Sequence, residues 1–515
     1  MSLSPSSRLT RREFLAFLSV LSLMPLLGKL DQRRSRRNES DRPNVIILVL
    51  DTLSARHMSL YGYRRETTPN LARFAERALV YHAHYAGGNF TTPGTASLLT
   101  GTYPWSHRAL NYAGLVRKDV VERNLFALFQ EDYQTVGFSQ NPWADQFLYQ
   151  FRDALDLHFR SGEFNLTDNN LYNRVNIIDP LMTFRSFEGN LFQHESGLPS
   201  SLMLGLVNKF KIALERQLLG SNLAKDYPYR LPFIQSWSSN TYSLELLFSG
   251  VGSLLGNLNF PAIAYMHLYP PHEPYAPGRE FIELFDDGWT PTPKRRRFFS
   301  MRVKESSLNI SRRWYDRFVA HTDAELGRLF ASMERQGLFD NSYVVITSDH
   351  GQMIERGVHG HVTPLLYEPV IHVPLLISKP NQLEREDVYT PTSCVDLLPT
   401  LLSISGRPVP EWCEGALLPG LGGVEDSNRS VYVVEAKVNA AHQPLQTGTI
   451  ALIKGQHKLI HYFGYKGYPG EFELFDLKND PEELHDLYLS EPGIASALRD
   501  ELQTKLKSVN SKYVS

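Results

Sequence analysis

With 515 residues, the chain can bury one large core and a smaller second domain. Hydrophobic residues at 42% and charged residues at 21% describe an ordinary globular protein, and a net charge of −2 without a basic stripe excludes nucleic acid as a partner. The 2 cysteines, Cys394 and Cys413, are too few for a four-thiolate metal site, and one disulfide or two free thiols both remain open.

Residues 1–28 carry Arg11-Arg12 directly before Glu13-Phe14-Leu15 and an apolar run that ends at Leu27. The order is that of a Tat-like export signal or a short anchor, because the run is too short for a typical spanning helix. Two expectations follow: an extracytoplasmic location (periplasmic, secreted or membrane-anchored) and peripheral membrane contact through this segment. Residues 29–42, with Arg33, Arg34, Arg36 and Arg37, read as a linker.

Asn44 to Leu50 is, after its first residue, a continuous apolar and β-branched run, the mark of a strand buried on both faces of a parallel sheet; it ends at Asp51. Thr68-Pro69 starts a helix with Leu71, Phe74, Ala75 and Ala78 at helical spacing. Thr91 precedes a helix start led by Pro93, which places its hydroxyl just ahead of a positive helix end, where an anionic ester gains from backbone N–H groups. Taken alone, such a threonine is an ordinary N-cap. Residues 150–250, rich in Asn, Ser and Phe, break the rhythm and read as a variable insert or cap; their apolar segment Leu202 to Leu219 covers the site or lies on a membrane surface.

Pro261 to Leu268 reads as a second central strand, Tyr315 to Gln336 as an amphipathic helix stopped by Gly337, and Ser342 to Ser348 as a third strand, closed by Asp349. Strands alternating with helices, and acidic residues at strand ends, predict an α/β fold over residues 43–425. Its central sheet is doubly wound and mostly parallel, with helices on both faces and the site at the carboxyl edge. Residues 430–515 read as a small α+β C-terminal domain, with short strands at Val431–Val434, Ile450–Ile453 and Lys458–Tyr462, then Phe472–Leu477 and a helix near 495–507.

Asp51, Asp349, His350 and the Thr91 hydroxyl combine hard oxygens with an imidazole, a set suited to one divalent cation such as Mn²⁺, Mg²⁺, Ca²⁺ or Zn²⁺. That cation would activate Thr91 as a nucleophile. His272, in a Pro-rich loop after a strand, is placed to protonate a leaving-group oxygen. His359 and His361 follow the metal-bearing turn. One is expected to bind substrate oxygens and the other to orient it, or either to be the hydrogen-bond partner of a ligand.

At these residues the chain resembles the sulfatase family of the alkaline phosphatase superfamily. The matches run in the family's order: Pro43-Asn44-Val45 with Asp51, Tyr61-Gly62-Tyr63, Thr68-Pro69-Asn70-Leu71 and Ala96-Ser97-Leu98-Leu99-Thr100-Gly101. They continue with His267 and Pro271-His272-Glu273-Pro274-Tyr275, Thr322-Asp323, Ser348-Asp349-His350-Gly351, Asp396-Leu397-Leu398-Pro399 and Leu474-Phe475-Asp476-Leu477. Three departures bear on function. Thr91 stands where the family places the Cys or Ser that becomes formylglycine, and Thr95 where it places Arg; the segment Tyr133 to Pro142 lacks the family's Lys and His; and Thr52 replaces a carboxylate often found beside the first metal aspartate. A threonine cannot become the aldehyde, because its β-carbon carries a methyl group. The Arg11-Arg12 segment and the resemblance together imply an exported, metal-dependent hydrolase of phosphate esters (diesters, as in a phosphodiesterase, or monoesters) or sulfate esters of a small molecule, lipid or glycan, acting through a covalent Thr91 intermediate. The alternatives are a phosphotransferase moving a lipid or polymer head group to a glycan, a sulfuric ester hydrolase without formylglycine, and a non-catalytic glycan binder.

Overall fold

Strand β1 (Asn44–Leu50) is buried along its whole length, and its alternation divides the core in two. Val45, Ile47 and Val49 pack on one face with Leu98, Phe126 and Leu398. Ile46, Leu48 and Leu50 pack on the other with Leu247, Phe318 and Leu326. A strand apolar on both faces needs helices on both faces, and the chain supplies them.

The computed structural model describes residues 42–112, 114–166, 223–234, 240–468 and 471–513. The expectations for the export signal, for nearly all of the linker and for the Leu202–Leu219 segment lie outside the described residues. Seven further strands join β1: β2 (Leu79–Tyr81), β3 (Gln134–Ser139), β4 (Leu157–Phe159), β5 (Ala262–Leu268), β6 (Ser342–Thr347), β7 (Leu375–Ser378) and β8 (Glu386–Val388). The 8-stranded sheet has the spatial order β8-β2-β7-β6-β1-β5-β3-β4. Every pairing is parallel except those of β7 with β6 and with β2. The mostly parallel, helix-covered sheet expected from the sequence is present.

Helices α1 (Pro69–Ala75), α2 (Thr91–Thr100), α3 (Pro142–Gln150), α4 (Leu244–Leu255), α5 (Glu305–Arg335) and α6 (Leu397–Ile404) flank the sheet. Helix α5 begins at Glu305 rather than at Tyr315, because buried Leu308 and Arg312 extend the Tyr315 face toward the N-terminus at helical spacing. Among the described residues, no helix is long and apolar enough to cross a membrane.

An antiparallel meander follows, β9 (Ser430–Glu435), β10 (Gly448–Lys454), β11 (His457–Phe463) and β12 (Glu471–Asp476), with α7 (Pro492–Ser511) after it. The small C-terminal sheet is as expected, and its helix is longer at both ends than the sequence pattern suggests. Cys394 and Cys413 are free thiols.

Candidate metal and catalytic centre

β1 and β6 are parallel neighbours, with Val49 paired to Thr347, so the residues that follow them emerge at the same sheet edge. Asp51, Asp349 and His350 are fully buried there, and their ligand atoms all lie within 4.8 Å of one another. His350 donates from Nδ1 to the Gly351 carbonyl at 2.9 Å, which leaves the Nε2 lone pair facing the centre. Nε2 is 3.7 Å from Asp51 Oδ1 and 3.6 Å from Asp349 Oδ2. Those two carboxylate oxygens are buried and accept no hydrogen bond. Unpartnered buried oxygens are costly in a protein, and two of them beside a free imidazole lone pair form a donor set that fits one divalent cation.

The electrostatics point the same way. Burial, and next the charge of Asp51, push the Asp349 carboxyl above its ordinary range. Burial also raises Asp51, but nearby His272, His267 and His350 outweigh it and hold that carboxyl below the usual range.

Thr91 is the first residue of α2 rather than a residue ahead of it. The N-cap position belongs to Phe90, in extended backbone at φ −153° and ψ 169°, and Gly94 N–H closes the first turn on the Phe90 carbonyl at 3.1 Å. The expected placement before a Pro93-led start is therefore corrected by two residues, and Thr91 does not cap the helix. Its Oγ1 instead lies 3.4 Å from His350 Nε2 and receives a hydrogen bond from Asn141 Nδ2 at 3.2 Å. Glycine at position 94 lets the helix start come this close, since a Cβ there would lie 2.2 Å from the Asp349 carbonyl oxygen.

His272 and His361 close the centre from the other side. His272 donates from Nδ1 to the Glu273 carbonyl at 2.6 Å, and its ring centroid is 5.1 Å from that of His361. His361 donates from Nδ1 to Gln352 Oε1 at 2.8 Å and packs 4.4 Å from the His350 ring. Burial, followed by the charges of His350 and His272, holds His361 well below the ordinary imidazole range, so it is neutral at pH 7. His359 differs: its partners are Tyr275 Oη at 3.3 Å and Glu273 Oε2 at 3.6 Å, not His350 or Thr91. All three histidines and Thr91 line one cavity of about 880 Å³, with Tyr112, Trp143 and Trp314 on its walls.

Two residues of the centre received no role from the sequence. His267 Nε2 is 3.4 Å from Asp51 Oδ2 and 3.7 Å from Asp349 Oδ2, with Tyr265 Oη 3.0 Å from its Nδ1. In the sequence it is a family match at the end of an apolar strand, with nothing local to give it a role. Asn141 donates from Nδ2 to Asp51 Oδ2 at 2.5 Å as well as to Thr91. In the sequence it lies in the Tyr133 to Pro142 segment, which stands out only for lacking the family's Lys and His. Thr52, where the family's second carboxylate would stand, has φ +65°, a left-handed conformation that a β-branched residue adopts only under strain.

The sulfatase family model matches residues 43–406, and that of the N-sulphoglucosamine sulphohydrolase C-terminal region matches residues 357–512. Arylsulfatase K of Bos taurus is 32% identical over 216 residues, a segment spanning 39% of this chain and 38% of that relative. The multifunctional alkaline phosphatase superfamily protein PehA of Trinickia caryophylli is 24% identical over 518 residues, covering 90% of this chain and 95% of its own. Among solved structures, the phosphonate monoester hydrolase of Agrobacterium radiobacter superposes with a TM-score of 0.63 at 19% identity, covering 92% of this chain and 96% of that one. Since the first model alone covers most of the residues and the sheet edge holds its acidic and imidazole groups in the expected order, the chain belongs to the sulfatase family of ester hydrolases.

Proposed function

We propose that this chain hydrolyses sulfate or phosphate esters of small molecules, with Thr91 as the attacking nucleophile and one divalent cation held by Asp51, Asp349 and His350. The observation that carries this is the position of Thr91 Oγ1, 3.4 Å from His350 Nε2 on the wall of the cavity that His272 also lines. When bound, the cation supplies positive charge to the nucleophile and to the anionic ester oxygen.

The protein groups divide the remaining work. Thr91 Oγ1 attacks sulfur or phosphorus as its proton passes to solvent, the new Oγ1 bond forms and the bond to the leaving alcohol breaks. The start of α2 points backbone N–H groups at the ester's negative charge. His272, anchored at Nδ1 by the Glu273 carbonyl, presents Nε2 to give a proton to the leaving oxygen. His361, held at Nδ1 by Gln352 Oε1, lines the same cavity without competing as an acid. Water then cleaves the Thr91 ester, releases the inorganic anion and restores the hydroxyl. The Thr91 methyl group rules out an aldehyde hydrate, so this second step is an ordinary ester hydrolysis.

Export through the Arg11-Arg12 segment completes the proposal and is supported by sequence alone; fractionation of producing cells tests it, and a wholly cytoplasmic product rejects it. The catalytic test is turnover of matched nitrophenyl sulfate, phosphate and phosphate diester before and after chelation. Thr91→Ala is expected to lose about 10³-fold or more on every substrate turned over, and chelation to abolish turnover. Wild-type rates in Thr91→Ala, or full activity in metal-free protein, overturn the proposal.

A further inference from the structure

Asn141 is fully buried between the end of β3 and the start of α3. Its Oδ1 accepts the Trp143 N–H at 2.9 Å as the N-cap of α3. That bond fixes which end of the amide is which, because a flipped amide would point a donor at a donor. The Nδ2 group must therefore face the centre, and both of its hydrogens are used there. One goes to Asp51 Oδ2 at 2.5 Å and the other to Thr91 Oγ1 at 3.2 Å. The backbone is held as well: Ser139 Oγ donates to the Asn141 carbonyl at 3.0 Å and accepts the Asn141 N–H at 3.1 Å.

We infer that Asn141 is a further catalytic residue, one that orients the Thr91 hydroxyl and stabilises its oxygen as charge develops there; this rests on Thr91 being the nucleophile. By donating into one lone pair of Oγ1, the amide turns the hydroxyl hydrogen away from itself and fixes the direction of attack. As the oxygen gains negative charge, this becomes a charge-assisted bond and strengthens. The same nitrogen restrains Asp51 through Oδ2, so that the unpartnered Oδ1 is the oxygen left facing the centre. One side chain thus sets the nucleophile against a carboxylate from a different strand. A role as helix cap alone uses Oδ1 and leaves both Nδ2 contacts without purpose.

The cap and the donor can be separated by substitution. Serine caps a helix about as well as asparagine, but its short side chain does not span the gap to Thr91. Assayed with saturating divalent cation, Asn141→Ser is expected to stay folded while kcat falls about 10- to 100-fold with KM little changed, the scale for misplacing a reacting group. Asn141→Ala should show the same kcat loss and a lower melting temperature, from loss of the cap. If the serine variant does not fold, Asn141→Thr, which also keeps a capping oxygen and adds no charge beside Asp51, must show the kcat loss under the same saturating cation. A kcat within about 2-fold of wild type in a folded Asn141→Ser protein overturns the assignment, as does a loss that tracks metal content. Full activity in Asn141→Ser beside an inactive Thr91→Ala removes only the role of Asn141, whereas an active Thr91→Ala removes the nucleophile itself.

Discussion

Thr91 Oγ1 and His350 Nε2 lie 3.4 Å apart although 259 positions separate them in the chain. Parallel pairing brings the ends of β1 and β6 together, and Gly94 lets the first turn of α2 settle against the Asp349 carbonyl. The position of the Thr91 hydroxyl is therefore a property of the sheet edge, not of a flexible loop, and on the proposed mechanism substitutions there should alter chemistry more than folding.

His272 offers a test that separates acid catalysis from general damage. A proton donor matters only when the leaving oxygen is basic, and a good one contributes roughly 10²–10⁴ in rate. His272→Ala is expected to lose most of its activity toward alkyl esters and far less toward nitrophenyl esters. Steady-state rates on a leaving-group series check this, and equal losses across the series would remove His272 from that role.

Lys458 ties the C-terminal sheet to the turn that follows β6. Its fully buried Nζ is 2.8 Å from Glu368 Oε1 and 2.5 Å from Glu483 Oε1. Glu368 begins the short helix Glu368–Ile371, whose Val370 and Pro369 carbonyls accept the Gly351 and Gln352 N–H groups at 2.7 and 2.9 Å. Removing the ammonium takes the shared cation from two buried carboxylates, a loss of about 3–5 kcal/mol for a broken buried pair. Urea unfolding of Lys458→Ala should show that loss, and near-wild-type stability would contradict a structural role for the cluster.

Much of this architecture could be read from sequence. Continuous β-branched runs closed by Asp51 and Asp349 mark buried parallel strands without any help from tertiary contacts. The place of His267 beside Asp51 was hidden because only the pairing of Val49 with His267 brings the two together. Asn141 was hidden because an Asn before Pro has a complete local explanation as a cap, and its second function depends on contacts 50 and 90 positions away. The start of α2 was misplaced because Thr91 and Thr92 take helical backbone, which the Pro93 signal does not report. Strand β7 is 4 residues long and antiparallel, too short for its periodicity to be distinctive.

Glu325, on α5, gives a pH signature independent of the catalytic centre. Burial, and then the charge of Glu245, push its carboxyl up to about 7 despite Arg328 nearby. The folded protein therefore holds this proton more tightly than the unfolded chain does. The stability it contributes is full below the ordinary glutamate pKa of about 4.3 and is lost as pH rises through about 7. Glu325→Gln removes that dependence. Melting temperatures of both proteins between about pH 5 and 8 should show the variant gaining on wild type as pH rises, and a constant difference would contradict the assignment.

On the proposed mechanism, turnover passes through an ester on Thr91. The most direct measurement is rapid acid quenching of the metal-loaded protein with a nitrophenyl phosphate or sulfate, followed by digestion and mass spectrometry, with Thr91→Ala treated in parallel. The expected result is a phosphorylated or sulfated peptide modified at Thr91, absent from the variant, which also lacks the initial burst of nitrophenol. A modified residue other than Thr91, or a burst and turnover in Thr91→Ala equal to wild type, would contradict it.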